Sequence, residues 1–188
     1  MHSIVQYCSL IGAQMKAEMT DILEASDSRQ LEQVRELLRS FVDWLRQRYA
    51  DSIQVIDDYF DLNAYEAELV SLPGKYAPPR GRLLLALSDG LAAGCVALSE
   101  IDGQTCEMKR MFVDPRFQGK GIGRVLCEAI IQQARSMGYS SMRLETGIKQ
   151  IEAQDLYRSI GFKTIKAYYE VPERLERSLL FMELNLRR

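Results

Sequence analysis

The sequence predicts an α+β fold around a mixed sheet, and three observations carry that reading. A pair of helical stretches occupies the chain before Arg82. Three consecutive strand patterns follow, and from Ser141 onward strand and helix alternate. At 188 residues, 47% hydrophobic and 27% charged, the chain suits one domain with a sizeable core.

Taken in order, residues 1–20 read as an N-terminal extension, helical or disordered, with Met15 and Met19 as alternative starts; residues 21–188 form the domain. Asp21–Ala25 is a short strand. Asp27 or Ser28 then caps a helix in which Leu31, Val34, Leu38, Phe41 and Leu45 recur at helical spacing to about Tyr49. A second helical stretch covers roughly Asp57–Ser71. Leu72-Pro73-Gly74 ends it, and Tyr76–Gly81 is an extended or turning loop. Leu83–Leu87 and Leu91–Leu98 form a hairpin about Asp89-Gly90, a pair that accepts the positive φ of a tight turn. Asp102-Gly103 turns the chain into a strand at Thr105–Val113. A helix follows over about Gly121–Met137, with Ile122, Leu126, Ala129, Ile130 and Met137 inward and Gly138 as its C-terminal cap. Ser141–Glu145 is a strand, Gln150–Ile160 a helix stopped by Gly161, Lys163–Tyr168 a strand and Leu179–Leu186 the last strand.

Composition removes several function classes. The longest uninterrupted apolar run is five residues, Leu83–Leu87, too short to cross a bilayer. The N-terminus lacks the features of a secretory signal. Cys8, Cys95, Cys106 and Cys127 show no C-x-x-C spacing, so neither a disulfide framework nor a zinc site is expected, and the protein is expected to be cytoplasmic. His2 is the only histidine, which argues against Ser-His-Asp and Cys-His catalysis and His-based metal sites; no metal is expected. Net charge is −2, but residues 1–100 hold 9 basic and 15 acidic residues and residues 101–188 hold 15 and 11. The first half therefore suits a cation and the second an anion.

The segment with the most chemical content is Glu107–Arg124. A strand ends at Val113, Asp114-Pro115 turns the chain, and Gln118-Gly119-Lys120-Gly121-Ile122-Gly123 opens an amphipathic helix. Glycines at a helix start let the backbone approach a ligand, and the helix dipole favours negative charge there, so this is a phosphate site on physical grounds. Arg116, Lys120 and Arg124 surround it with cations. A Walker loop is excluded because Gly121, not Ser or Thr, follows Lys120. The dinucleotide fingerprint is excluded by the glycine spacing.

The pattern Gln118-x-x-Gly121-x-Gly123 after a strand resembles the coenzyme A pyrophosphate loop of the GNAT superfamily of acetyltransferases. Ala153-x-x-Leu156-Tyr157-x-x-x-Gly161-Phe162 resembles the family's later helix, and the two motifs stand in the family's order over a resemblance spanning roughly residues 21–186. Gln150 stands where the family often has Asn. The resemblance implies a central, mostly antiparallel twisted sheet flanked by helices, in which two splayed strands hold the pantetheine arm of acetyl-CoA. Backbone groups of Met111, Phe112 and Val113 would bind that arm, with the N–H near Met111 polarising the thioester. Amides of Gln118, Gly119, Lys120, Gly121, Ile122, Gly123 and Arg124 would take the pyrophosphate, and Gln150 would contact the arm. Tyr157 would be the acid that protonates the departing thiolate; its alternative is a core aromatic.

Glu107, eleven residues before Gln118, is a candidate general base, and strict alternation puts it on one strand face with Lys109, Met111 and Val113. Its alternative is a rim carboxylate paired to Lys109 or Arg110. Cys106 points to the opposite face and lacks a group that would activate it, so direct transfer is expected. Residues 51–70 hold six acids (Asp51, Asp57, Asp58, Asp61, Glu66 and Glu68) and no base, and Tyr76, Tyr168, Tyr169 and Glu170 are candidates for an acceptor lining. The expected acceptor is a small-molecule or peptide amine, cationic in character. Nucleic acid and membrane are not expected, and a homodimer is left open. The competing class is a non-catalytic module that binds acyl-CoA as a sensor or scaffold.

Overall fold

The computed structural model describes Val5–Gln6 and residues 20–187. The extension expected over residues 1–20 lies outside these apart from Val5, Gln6 and Thr20. The chain forms β1 (Val5–Gln6), β2 (Thr20–Glu24), α1 (Ser28–Arg48), α2 (Gln54–Tyr59), α3 (Leu62–Val70), β3 (Arg82–Ser88), β4 (Leu91–Glu100) and β5 (Thr105–Val113). It continues with α4 (Ile122–Ser136), β6 (Ser141–Gly147), α5 (Ile151–Ile160), β7 (Lys163–Ile165) and β8 (Leu179–Asn185). One sheet runs in the order β1-β2-β3-β4-β5-β6-β8-β7. Every pair is antiparallel except β5 with β6, which the α4 crossover makes parallel.

The two faces of the sheet carry separate cores. Ile122, Leu126 and Ile130 of α4 and Tyr157 of α5 pack with Cys106, Met108, Met142 and Leu144 on one face. Val34, Leu38 and Leu45 of α1, Ile56 of α2 and Leu69 of α3 pack with Leu83, Leu85 and Phe112 on the other. Helix α1 starts as its sequence requires: Asp27 accepts the Gln30 N–H (2.8 Å), and the Gln30 side chain accepts the Asp27 N–H (3.2 Å).

Three expectations need correction. The helix expected over residues 57–71 is two helices, because Phe60 turns extended (φ −101°, ψ 110°) and buries its ring beside Tyr65 (5.1 Å). Asp61 then starts α3 by accepting the N–H groups of Asn63 and Ala64. The strand expected over 163–168 stops at Ile165, since Tyr168 and Tyr169 leave the sheet edge and each packs a ring 5.3 Å from Phe181. The alternation expected along β5 fails at a bulge, where Arg110 and Met111 together oppose Val96, with Arg110 at φ +57°. The extra residue reverses the facing of everything after it. Met111 and Val113 pack on the α4 side, Phe112 packs on the α1 side, and Glu107 is not on the face of Met111 and Val113.

Candidate active site

The glycine loop has the geometry its residues call for. Asp114 accepts the Arg116 N–H (2.9 Å) and takes its guanidinium (2.7 Å), closing the turn after β5. Gln118 Nε2 donates to the Val113 carbonyl (3.0 Å), tying the loop to the strand end. Gly119 and Gly121 have φ of +79° and +80°, and a Cβ on either would meet nothing within 4 Å. Both need the left-handed region, and the space beside both is open to a ligand. Gly121 caps α4 with no side-chain hydrogen bond. The first turn of any helix leaves its N–H groups without carbonyl partners, so Ile122 and Gly123 carry an anion-binding start. A Cβ on Gly123 would meet Leu156 and Met111 at 3.5 and 3.7 Å, ordinary contacts that leave room for an alanine beside α5. Lys120 lies over Phe117 (5.4 Å), and Arg124 donates to Ser159 Oγ (2.7 Å), joining α4 to α5.

Between β5 and β6 the sheet opens. Their pairing covers only Thr105–Glu107 against Ser141–Arg143; beyond it β6 stays with β8 while the bulge turns β5 away. Met111, Leu144, Gly147 and Tyr157 are among the residues that line the cleft so formed. On one side Met111, Gln150, Ala153 and Tyr157 also line the groove that holds Gln118, Gly119, Ile122 and Gly123. On the other side Tyr59, Lys109, Arg110 and Glu145 also line a cavity of about 610 Å³. The cleft therefore shares walls with the glycine-loop groove and with the cavity, and lies between the two.

Tyr157 is buried, its ring 5.8 Å from Phe162, and it lines both cleft and groove. Burial pushes its hydroxyl above the usual tyrosine range, with the Cys127 thiol adding to the effect, so it stays protonated at neutral pH. Gln150 turns its carbonyl onto the end of β6, accepting the Gly147 N–H (2.6 Å) and the Thr146 hydroxyl (3.0 Å). A side chain at Gly147 would run into the Tyr49 hydroxyl, which is why the strand ends on glycine there. Phe112 lines the groove, and its ring sits 5.3 Å from Phe41.

Glu107 lies in the cavity, not in the cleft that Tyr157 lines. It accepts the Tyr168 hydroxyl (2.7 Å) and pairs with Lys109 Nζ (3.2 Å). Glu145, which the sequence reading passed over, borders both spaces. It accepts the hydroxyls of Tyr59 and Tyr169 and stands 3.7 Å from the same Lys109 Nζ. Only its facing is carried by the strand pattern: in Ser141–Gly147 the buried residues alternate as Met142, Leu144 and Thr146, which turns Glu145 to the opposite face at the end where the strands part.

The bulge has an anchor. Arg110 donates to Glu68 (2.7 Å) and its guanidinium lies 4.7 Å from the Tyr65 ring centroid; Tyr76 and Lys75 also reach Glu68 (2.8 Å each). Burial alone would raise the Glu68 carboxyl, but Arg110 outweighs it and brings the pKa down to about 2. A depressed carboxylate stabilises the fold above its unfolded range, so this contribution is complete above pH 4.5 and fades as pH falls toward 2. Glu68→Gln is expected to cost about 2–4 kcal/mol near pH 7, because Arg110 is left largely buried without its partner. The cost should shrink as pH falls below 4.5, which urea titrations of both proteins at several pH values would show.

The sequence profile of the acetyltransferase (GNAT) family matches residues 32–162, more than half of the chain. The chain belongs to the GNAT acetyltransferase family. An uncharacterized N-acetyltransferase of Schizosaccharomyces pombe is 44% identical over 107 residues, 56% of this chain and 66% of that protein. The N-acetylaspartate synthetase of Danio rerio is 35% identical over 63% of this chain, which spans only 42% of that relative's length. A solved chain of Salmonella typhimurium, with acetyl-CoA as its cofactor, shares the fold at 21% identity and a TM-score of 0.61, over 89% of this chain and 94% of that one.

The residues of this GNAT-family chain fit an acetyl-CoA donor: open space beside two left-handed glycines, then a cleft between parted strands. The acidic stretch 51–70 is less of a unit than its composition implies. Asp51 pairs with Lys149, Asp57 with Arg46, Asp58 with Arg174 and Glu66 with Arg39, while Asp61 caps α3. Of the six acids in that stretch, only Asp58, Asp61 and Glu68 line the cavity. Among the described residues no three His, Cys, Asp or Glu side chains group as metal ligands would, and no helix is long and apolar enough to cross a membrane.

Proposed function

We propose that this acetyltransferase transfers the acetyl group directly to a primary amine on a positively charged acceptor that enters through the cavity, with Glu145 and Glu107 as proton acceptors and Tyr157 as the acid. The observation that carries the reading is that Glu145 and Tyr157 line one cleft, between the glycine loop and an acidic cavity. Amides of the loop from Gln118 to Arg124 hold the pyrophosphate, and Met111–Val113 bind the pantetheine arm. The Met111 N–H beyond the bulge polarises the thioester carbonyl. Glu145, with Glu107 deeper in the cavity, takes a proton from the acceptor ammonium, directly or through water. Tyr157, held protonated by burial, supplies the proton to the leaving thiolate. Cys106 is buried and its thiol is pushed up to about 12, which supports transfer without a covalent enzyme intermediate.

The cavity lining supports a cationic acceptor: Asp58, Asp61, Glu68, Glu107 and Glu145 line it with the two cations Lys109 and Arg110, while Arg174 pairs with Asp58 and Lys75 with Glu68 from outside the lining. An amine panel with detection of released thiol tests the reading. Amines with a second positive charge should lead, and their KM should rise with salt as the Debye length shortens to ~10 Å at 0.1 M. A best acceptor that is anionic, with a KM indifferent to salt, would rule the charge argument out. Glu145→Gln should lower turnover by about 10²–10³-fold, most at low pH where the amine is all ammonium and needs a base. A pH-independent loss would assign Glu145 a positioning role. Glu107→Gln should give a smaller loss, since Glu107 does not border the cleft.

A further inference from the structure

The cavity already contains an ammonium group. Lys109 Nζ lies 3.2 Å from Glu107 and 3.7 Å from Glu145, the two carboxylates to which the acceptor amine is assigned. Lys109 also lines both the cleft and the cavity, and its side chain is only 21% exposed. It sits directly before the bulge, two residues from the Met111 N–H that faces the thioester in the reading above. A flexible chain of four methylenes thus carries a primary amine between the proposed bases, at the wall shared by the cavity and the cleft next to the glycine loop.

We propose that Lys109 is an acceptor of the enzyme's own reaction and is acetylated in cis when no external amine occupies the cavity. The inference rests on the reading of the cavity as the acceptor site. In the step, Nζ gives a proton to Glu145 or Glu107 and its lone pair forms a C–N bond to the thioester carbonyl carbon. The C–S bond breaks, the nitrogen sheds its second proton to the other carboxylate and on to solvent, the thiolate takes the Tyr157 proton, and Tyr157 regains the first proton from its carboxylate through solvent. The products are Nε-acetyl-Lys109, free coenzyme A and one further proton, the second one shed by the nitrogen. The modification has a consequence for the site. A neutral amide no longer bridges two carboxylates, so Glu107 and Glu145 lose the cation between them and the cavity becomes more negative by one charge. Lys109 is also a tethered competitor, which an external amine must displace from between the carboxylates.

The test is incubation of the purified protein with acetyl-CoA and no acceptor, followed by intact mass measurement and peptide mapping. Parallel samples contain Tyr157→Phe protein, Lys109→Arg protein, or the best amine from the panel. The expected result is a single acetyl increment on Lys109 at a first-order rate independent of protein concentration. It should slow by at least tenfold in Tyr157→Phe, be protected by the amine, and be absent in Lys109→Arg. Exposed lysines such as Lys163 report spontaneous acetylation. Acetylation of Lys109 no faster than of Lys163, or unchanged by Tyr157→Phe, overturns the proposal. So does an unmodified Lys109 in a preparation that turns over external amines, a result that leaves the acceptor-site reading intact. Failure to turn over any amine, with Lys109 unmodified, overturns both.

Discussion

Tyr157→Phe should lower kcat by about 10²–10⁴-fold and leave the affinity for acetyl-CoA close to that of the parent protein. The substitution removes one oxygen and keeps the ring against Phe162, so the packing of α5 is retained. What it removes is a proton source that burial holds in the protonated form beside the cleft. Steady-state kinetics with saturating amine, alongside calorimetric binding of acetyl-CoA, separates the two effects. Turnover close to that of the parent would make Tyr157 a packing residue and return the proton-donor role to water. A matched fall in affinity and turnover would mean that the side chain positions the donor.

Gly121→Val should abolish the stabilisation of the protein by acetyl-CoA. At a ligand concentration ~100 times the dissociation constant, the parent should gain roughly 2.7 kcal/mol, a readable rise in Tm. Gly121 stands at φ +80° at the start of α4, and a Cβ there would project into the open space beside the loop that the pyrophosphate is proposed to fill. A β-branched residue both resists that φ and occupies that space. Gly123→Ala serves as the comparison, since a Cβ there makes only ordinary contacts with Leu156 and Met111. It should keep most of the ligand-induced shift. A full shift in Gly121→Val would move the phosphate site away from this loop.

Both of these residues were legible in the sequence, as members of local patterns. The loop is a run of consecutive residues whose glycines, cations and following helix are all encoded within Glu107–Arg124, and Tyr157 lies in a helix ended by its own glycine. Glu145 was not legible as a site residue, although its strand was. The importance of Glu145 comes from a neighbour, β5, which pairs with β6 for only three residues and then leaves. The placement of Glu107, the candidate general base, on one face with Met111 and Val113 assumed unbroken alternation along β5. The bulge at Arg110 breaks it, and that bulge is anchored by Glu68 on α3, forty-two residues earlier. The acidic stretch 51–70 was legible only in part for the same reason: cations that meet its acids, among them Lys149 and Arg174, arrive from remote parts of the chain.

The sequence by itself determined the order and kind of nearly every element, the α+β class, the mixed sheet and the glycine loop at the start of α4. Hydrophobic period, caps and left-handed glycines act over a few residues, and each leaves its mark where it acts. Tertiary structure alone decided which side of β5 each residue takes after Lys109, where the helix over 57–71 breaks, and why Tyr168 and Tyr169 abandon a strand to reach two carboxylates. Those outcomes depend on contacts between segments that meet only after folding: Phe60 against Tyr65, Arg110 against Glu68, and two tyrosine rings against Phe181. A bulge, a helix break or a shortened strand costs local hydrogen bonds, and only burial and pairing across the fold offset that loss.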